Sequence, residues 1–284
     1  MGIREPELCS YESSKVVIQQ VPYEYTSSYL AGSSAGPAAI LEASHFVEFY
    51  DEELDAEIYK DTGIATLMPL DFTGKTDASA IDFIEKETSS LLNDEKFVVS
   101  FGAEHTVTYG FVKAFAKKFD NLTVLQLDAH SDLREAYQDN PYSHASVMKR
   151  VYDMGLNICQ AGIRAQCREE AELIRSSPRI HTAYAWQIQT EKDWIEKLVE
   201  KCTENVYITI DADGFDPSVM PAVGTAEPGG LGWYEALKLL KTVSAKRNVV
   251  GFDIVECAPS EGSILTQFNL AKLAYKLIGY IHHT

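Results

Sequence analysis

Two short segments of the chain are dense in residues that bind metal ions. Asp128-Ala129-His130-Ser131-Asp132 sets two carboxylates and an imidazole at i, i+2 and i+4, and Asp211-Ala212-Asp213 adds two more carboxylates. In an extended segment that spacing turns the side chains to one side. With His105, in Gly102-Ala103-Glu104-His105-Thr106, the set grows to four carboxylates and two imidazoles. Carboxylates at this density repel one another unless a cation sits among them. Two divalent ions, each taking one imidazole and sharing bridging carboxylates, would remove the repulsion. Donors rich in oxygen and free of thiolate suit Mn(II) better than structural zinc, with iron, cobalt or nickel as substitutes. Singly, a D-x-D is most often a solvated turn and a histidine after a strand most often a core residue. Three such pieces at three strand ends favour the metal.

The elements that must position these residues are short apolar runs. Lys96 to Phe101 runs into Gly102–Thr106, Leu122 to Leu127 into Asp128, and Val206 to Ile210 into Asp211. A fourth run, Val249 to Ile254, leads to Val255-Glu256-Cys257-Ala258-Pro259. Lys15 to Gln20 and Asn157 to Ile163 are similar, and several runs are near-continuously apolar, as strands covered on both faces are. Helical periodicity marks Ala78 to Leu92, Asp193 to Cys202, Tyr234 to Leu240 and Leu270 to Tyr280. Strand–helix alternation predicts an α/β fold with a mainly parallel sheet. Functional residues of such sheets gather at the C-terminal ends of strands, so four strand ends should converge on one rim. No linker or repeat interrupts residues 1–284, which predicts a single domain. His144 and Glu256 are unremarkable taken alone, as a loop histidine and a strand-end carboxylate. Glu104 reads as structural or as a support for the ligands. His45, His181, His282 and His283 receive no role, the last two reading as frayed surface.

Hydrophobic residues make up 45% of the chain and charged residues 24%, which excludes a collagenous or disordered protein. Twenty-five Lys plus Arg against 42 Asp plus Glu leave a net charge of −17. That balance argues against a nucleic-acid partner and fits cationic small molecules, metal ions or simple solubility. The cysteines, Cys9, Cys159, Cys167, Cys202 and Cys257, are scattered and form no C-x-x-C pair, which fits a reducing compartment. The N-terminus lacks the apolar core of a signal peptide, and no run of about 18 apolar residues could span a membrane. The expectation is a cytoplasmic protein with no membrane partner.

The order of the boxes resembles the ureohydrolase family, which includes arginase, agmatinase and formimidoylglutamase. Val21-Pro22-Tyr23 and Gly36-Pro37-Ala38-Ala39-Ile40 are similar to the family's opening "GVPYD…GPRAIR". Gly102–Thr106 is similar to "GGDHS", Asp128–Asp132 to "DAHxD", Thr209–Leu231 to "SxDxDxxDPxxxPGTGTPxPGG" and Asp253–Pro259 to "DxVEVxP". The resemblance spans nearly the whole chain. It implies a three-layer αβα sandwich, commonly assembled into homo-oligomers (trimers or hexamers), and two Mn2+ per subunit. His105, Asp128, Asp132 and Asp211 would hold one ion, and His130, Asp128, Asp211 and Asp213 the other. It further implies that His144 shuttles a proton, that Asp132 orients the attacking water and that Glu256 receives a guanidinium.

The segment Asp128–Arg150 looks most like agmatinases, which implies hydrolysis of a small cationic guanidino substrate, agmatine, to putrescine and urea. Aminopropylagmatine, guanidinobutyrate and arginine are the alternative substrates, and a non-catalytic binding protein of the same fold is a further alternative. Ala103, Glu104, Thr106, Ala226 and Ser260-Glu261 depart from the family pattern, and the last pair lies close to Glu256 in sequence. Glu135, Asp139, Tyr142 and Glu261 are candidates for the distal end of the substrate, or equally solvated loop residues.

Overall fold

A strand covered on both faces needs apolar side chains on both, and the runs that read this way are the strands of one sheet. The computed structural model describes residues 1–283. Its strands are β1 (Val16–Val21), β2 (Tyr50–Asp51), β3 (Ala56–Glu57), β4 (Ile64–Thr66), β5 (Phe97–Gly102), β6 (Leu122–Leu127), β7 (Asn157–Ile163), β8 (Ile180–Tyr184), β9 (Asn205–Asp211) and β10 (Asn248–Val255). β2 and β3 pair as a small antiparallel ribbon. The other eight form one sheet in the order β4-β1-β5-β10-β9-β6-β7-β8, and every pairing in it is parallel. The six strands read from the sequence are all present. The edge strands β4 and β8 escaped that reading, because one has only three residues and the other is only partly buried.

The helices are α1 (Pro6–Cys9), α2 (Gly36–Ser44), α3 (Ile58–Thr62), α4 (Asp77–Asn93), α5 (Val107–Lys118), α6 (Val147–Asp153), α7 (Arg168–Ser176), α8 (Ala185–Ile188), α9 (Trp194–Lys201), α10 (Trp233–Lys246) and α11 (Leu265–His282). Alternate strand residues face opposite layers. Ile18, Phe101, Leu125, Ile208 and Phe252 pack with residues of α2, α3, α9, α10 and α11. Val17, Val98, Val124, Tyr207 and Val250 pack with residues of α4, α5, α6 and α7. The result is the three-layer αβα sandwich. Local signals set the helix starts: the Glu170 carboxylate accepts from the Cys167 N–H at 2.6 Å and the Glu235 carboxylate from the Gly232 N–H at 3.0 Å. His282 is not frayed. It lies in α11 with its ring edge-on to Phe97, the centroids 4.7 Å apart. Among the described residues, no helix is long and apolar enough to cross a membrane.

Candidate functional site

The sheet order decides where the chemistry lies. β5, β10, β9 and β6 are neighbours, and their C-terminal ends deliver His105, Glu256, Asp211 with Asp213, and Asp128 with His130 and Asp132 to one rim. Gly214 lets the chain beyond β9 lie against the end of β6, since a Cβ there would stand 2.6 Å from the Asp128 nitrogen. The sequence expectation of a continuous extended segment at 128–132 is corrected. β6 ends at Leu127, and Asp132 takes a left-handed backbone with φ 53°. Asp211 and Asp213 likewise flank a tight turn in which the Asp211 carboxylate accepts from the Asp213 N–H at 2.8 Å. The side chains converge because the backbone turns. Glu256 shares the left-handed conformation, φ 61°, which costs about 1–3 kcal/mol for such residues and clusters at functional sites.

Two clusters interlock through Asp128. In the first, His105 Nδ1 lies 3.0 Å from Asp128 Oδ2, 3.1 Å from Asp132 Oδ2 and 3.4 Å from Asp211 Oδ2. In the second, His130 Nδ1 lies 3.1 Å from Asp213 Oδ2 and 3.7 Å from Asp128 Oδ1. His105 Nδ1 is buried, yet none of its three close carboxylates meets it with hydrogen-bond geometry. A lone pair and three carboxylate oxygens aimed at one region, with no hydrogen to share well, fit a cation.

The titration behaviour of the groups follows from the same crowding. Burial opposes charge on both imidazoles, but the carboxylates outweigh it, holding His105 well above its ordinary pKa and raising His130 to about 12, so that a proton and a metal ion compete for the same ring nitrogens. Asp132 is pushed up to about 7 by burial and the charge of Asp128, and burial, Asp213 and Asp128 likewise hold Asp211 well above its ordinary value. Glu256 rises to about 8, chiefly through burial. Each of these carboxylates is therefore short of positive charge, which bound cations supply.

The second nitrogen of His105 shows how the first is kept bare. Thr209 Oγ1 donates to Asp253 Oδ1 at 2.7 Å, so it can only accept from His105 Nε2, 3.0 Å away. The proton is thereby fixed on Nε2, and Nδ1 is left with its lone pair available to a metal ion. Buried Asp253 also accepts from Tyr207 Oη at 2.7 Å and from Thr108 Oγ1 at 3.1 Å. A second relay holds Asp128: Thr182 donates to Gln160, Gln160 to Gln126, and Gln126 to Asp128 Oδ2, each at 2.7–2.8 Å.

Glu256 accepts from the His105 backbone N–H through Oε1 at 2.7 Å. It lines one cavity with His105, His130, Asp132, Asp211 and Asp213. His144 closes the same cavity, with Nδ1 3.1 Å from Thr26 Oγ1 and Nε2 3.3 Å from Ser28 Oγ. Burial, and then the charges of His105 and His130, lower its pKa to about 4, so it is neutral near pH 7. An outer chamber of about 280 Å3 continues past His144, bounded by Arg134, Tyr137, Glu170 and Glu227.

A model of the arginase family matches residues 14–279. The chain belongs to the arginase family. The N(1)-aminopropylagmatine ureohydrolase of Synechocystis sp. is 43% identical over 279 residues, covering 96% of this chain and 91% of the relative. The agmatinase of Bacillus cereus is 38% identical over 258 residues, covering 88% of this chain and 86% of the relative. Among solved structures, the agmatine ureohydrolase of Thermoplasma volcanium superimposes with a TM-score of 0.85 at 32% identity, covering 96% and 92% of the two chains. This arginase-family chain is a ureohydrolase, with the sheet and layers that the resemblance implied.

The arginase-family site also holds residues that the sequence reading passed over: Thr209, Asp253, Gln126, Gln160, Thr26 and Ser28. A signal existed for four of them. Polar side chains inside strands covered on both faces are costly unless they have partners, and Thr209, Asp253, Gln126 and Gln160 all sit in such strands. Thr26 and Ser28 lie in an irregular loop and carried no signal. The candidates for the distal end of the substrate are placed elsewhere. Glu135 pairs with Lys149 and Arg150, Tyr142 lines a separate small cleft, and neither Asp139, Ser260 nor Glu261 lines the two chambers.

Proposed function

We propose that this ureohydrolase holds two Mn2+ ions and hydrolyses a guanidino compound with a cationic tail, agmatine in the first place. The bare, buried Nδ1 of His105 among three carboxylates carries the metal reading. His105, Asp128, Asp132 and Asp211 would hold one ion, and Asp128, His130, Asp213 and a shared Asp211 the other. Oxygen-rich donors with two imidazoles and no thiolate suit Mn(II). Bound divalent ions supply the Lewis acidity that makes water nucleophilic near neutral pH.

The protein's own groups do the rest. Asp132 accepts a hydrogen bond from the attacking water and aims it at the guanidinium carbon. Glu256 has committed Oε1 to the His105 N–H, so Oε2 is free to pair with a guanidinium N–H and fix its plane. Water adds to that carbon, His144 Nε2 takes up a proton that the water releases and passes it to the alkyl nitrogen as the bond to that nitrogen breaks, and the water's other proton leaves with the amine as an alkylammonium. A guanidinium and a water become urea and an alkylammonium, which is putrescine when the substrate is agmatine.

The outer chamber favours a cationic tail. Arg134 faces Glu170 at 4.0 Å, and Glu170 also accepts from the Leu133 and Cys167 N–H groups. Glu227 forms no ion pair among the described residues, so its carboxylate is available to a cationic tail. Its volume supports N1-aminopropylagmatine as the second candidate, since a longer tail has room there. Five free cysteines fit the reducing cytoplasm, and we carry a trimer or hexamer as the assembly, which light scattering tests.

The test is urea release by the Mn2+-loaded enzyme on agmatine, N1-aminopropylagmatine, guanidinobutyrate and arginine. Turnover of the first two that chelator abolishes and Mn2+ restores is expected. Equal turnover of guanidinobutyrate would refute the cationic tail, and no urea from any substrate would refute the reaction.

A further inference from the structure

The loop between β1 and α2 is tied down by two carboxylates. Glu24 accepts from the Gly32 N–H at 2.7 Å, the Ser34 N–H at 3.0 Å and Ser27 Oγ at 2.9 Å, closing residues 24–34 on themselves. Glu104, fully buried at the end of β5, reaches into the same loop. Its Oε2 accepts from the Tyr25 N–H at 3.0 Å, the Thr26 N–H at 2.7 Å and Thr26 Oγ1 at 3.1 Å.

Thr26 then meets His144. Its Oγ1 accepts from the His144 backbone N–H at 3.1 Å and lies 3.1 Å from His144 Nδ1. A threonine hydroxyl has one hydrogen and two lone pairs. The hydrogen is given to Glu104 Oε2, and one lone pair is taken by the backbone N–H. The second lone pair faces Nδ1 at 3.1 Å, closer than Ser143 Oγ at 3.4 Å, so Nδ1 is the nitrogen placed to donate. Nε2 is left with its lone pair directed at Ser28 Oγ, beside the inner cavity. Thr106 does not compete, because its own hydroxyl donates to the Tyr142 carbonyl at 3.1 Å.

We propose that Glu104 and Thr26 are positioning residues that fix the tautomer of His144 and leave Nε2 as the atom through which it exchanges protons with the substrate. The arrangement repeats the logic of Asp253, Thr209 and His105: a buried carboxylate takes the threonine hydrogen and so dictates which ring nitrogen is bare. One histidine is prepared as a metal ligand and the other for proton transfer. The inference rests on the proton-donating role proposed above for His144.

The experiment compares Thr26→Val and Thr26→Ser, each in the native and the His144→Ala background, all loaded with metal. Metal content and the circular dichroism spectrum are checked for each. Thr26→Val should lower kcat about 10- to 100-fold, the scale of losing a residue that orients a functional histidine, with KM little changed. Thr26→Ser, which restores the hydroxyl, should recover most of kcat. In the His144→Ala background Thr26→Val should have no further effect, and Glu104→Ala should not add to Thr26→Val. Long-range 1H–15N spectra of 15N-histidine protein loaded with diamagnetic Mg2+ should show His144 protonated at Nδ1 in the native chain and at Nε2 in Thr26→Val. An equal loss of kcat with and without His144, or a tautomer that Thr26→Val leaves in place, overturns the proposal. If His144→Ala itself keeps full kcat, the proton-donating role fails instead, and the spectra still decide the tautomer.

Discussion

Thr209→Val isolates the support behind the first candidate metal cluster. Valine matches threonine in shape, so this fully buried position keeps its packing and loses one hydroxyl. That hydroxyl accepts from His105 Nε2–H at 3.0 Å and donates to Asp253 at 2.7 Å. Two outcomes are open to His105. The ring keeps its tautomer and buries an unsatisfied N–H, at about 1–3 kcal/mol, or it moves the proton to Nδ1 and ceases to be a ligand. Both penalties fall on the His105 cluster, and the loss should be about 10- to 100-fold in metal affinity, as for other partners of metal-binding histidines. Asp253 keeps Tyr207 and Thr108 as donors, so the local fold should survive. Calorimetric titration of metal-free protein with Mn2+ should show one of two dissociation constants rise by that factor while the other holds. Elemental analysis at limiting metal should approach one ion per chain, and Thr209→Ser should restore two. Equal weakening of both sites, or of neither, would refute the argument that the hydroxyl sets the tautomer.

Other expectations concern the substrate, the fold and its pH dependence. Glu227→Gln should raise KM for agmatine about tenfold, the loss of one partly exposed charge contact of about 1 kcal/mol or slightly more, with kcat unchanged and the KM for guanidinobutyrate, whose tail is anionic, lowered; steady-state urea assays check this. Gly214→Ala would place a methyl 2.6 Å from the Asp128 nitrogen, and thermal unfolding should show a loss of about 1–3 kcal/mol together with weaker metal binding. His282 is held at a pKa of about 4 by burial and then by the charge of Lys15, and its Nε2 has no partner among the described residues. Because the folded pKa lies below the unfolded value near 6.5, its stabilising contribution is full above pH 6.5. It is lost as pH falls from there towards 4, by up to about 3 kcal/mol. Denaturant titrations should show His282→Phe equal to the native chain at pH 7.5 and less acid-sensitive between pH 6.5 and 4.5. A parallel pH profile for the two proteins would remove His282 from the account.

The sequence by itself determined the residue types and their local setting. Val16–Val21 and Leu122–Leu127 are buried throughout, so apart from Gln19, Gln20, Thr123 and Gln126 their side chains are apolar on both faces, and that made them legible as strands. Metal sites of nitrogen and oxygen donors draw on His and carboxylates, and loops that follow strands hold such residues close together in sequence, so the candidate ligand boxes were legible as well. Tertiary structure alone decided that β10 and β9 lie between β5 and β6, which turns four separated boxes into one rim. It alone paired Thr209 with Asp253, 44 residues away, His105 with Thr209, 104 away, and Thr26 with His144, 118 away. Such bonds leave no periodicity in either partner, because a hydrogen bond across elements constrains one atom of each residue and nothing of its neighbours. The composition of the site is therefore local information, whereas the protonation of its histidines is set by contacts that exist only after the sheet has closed.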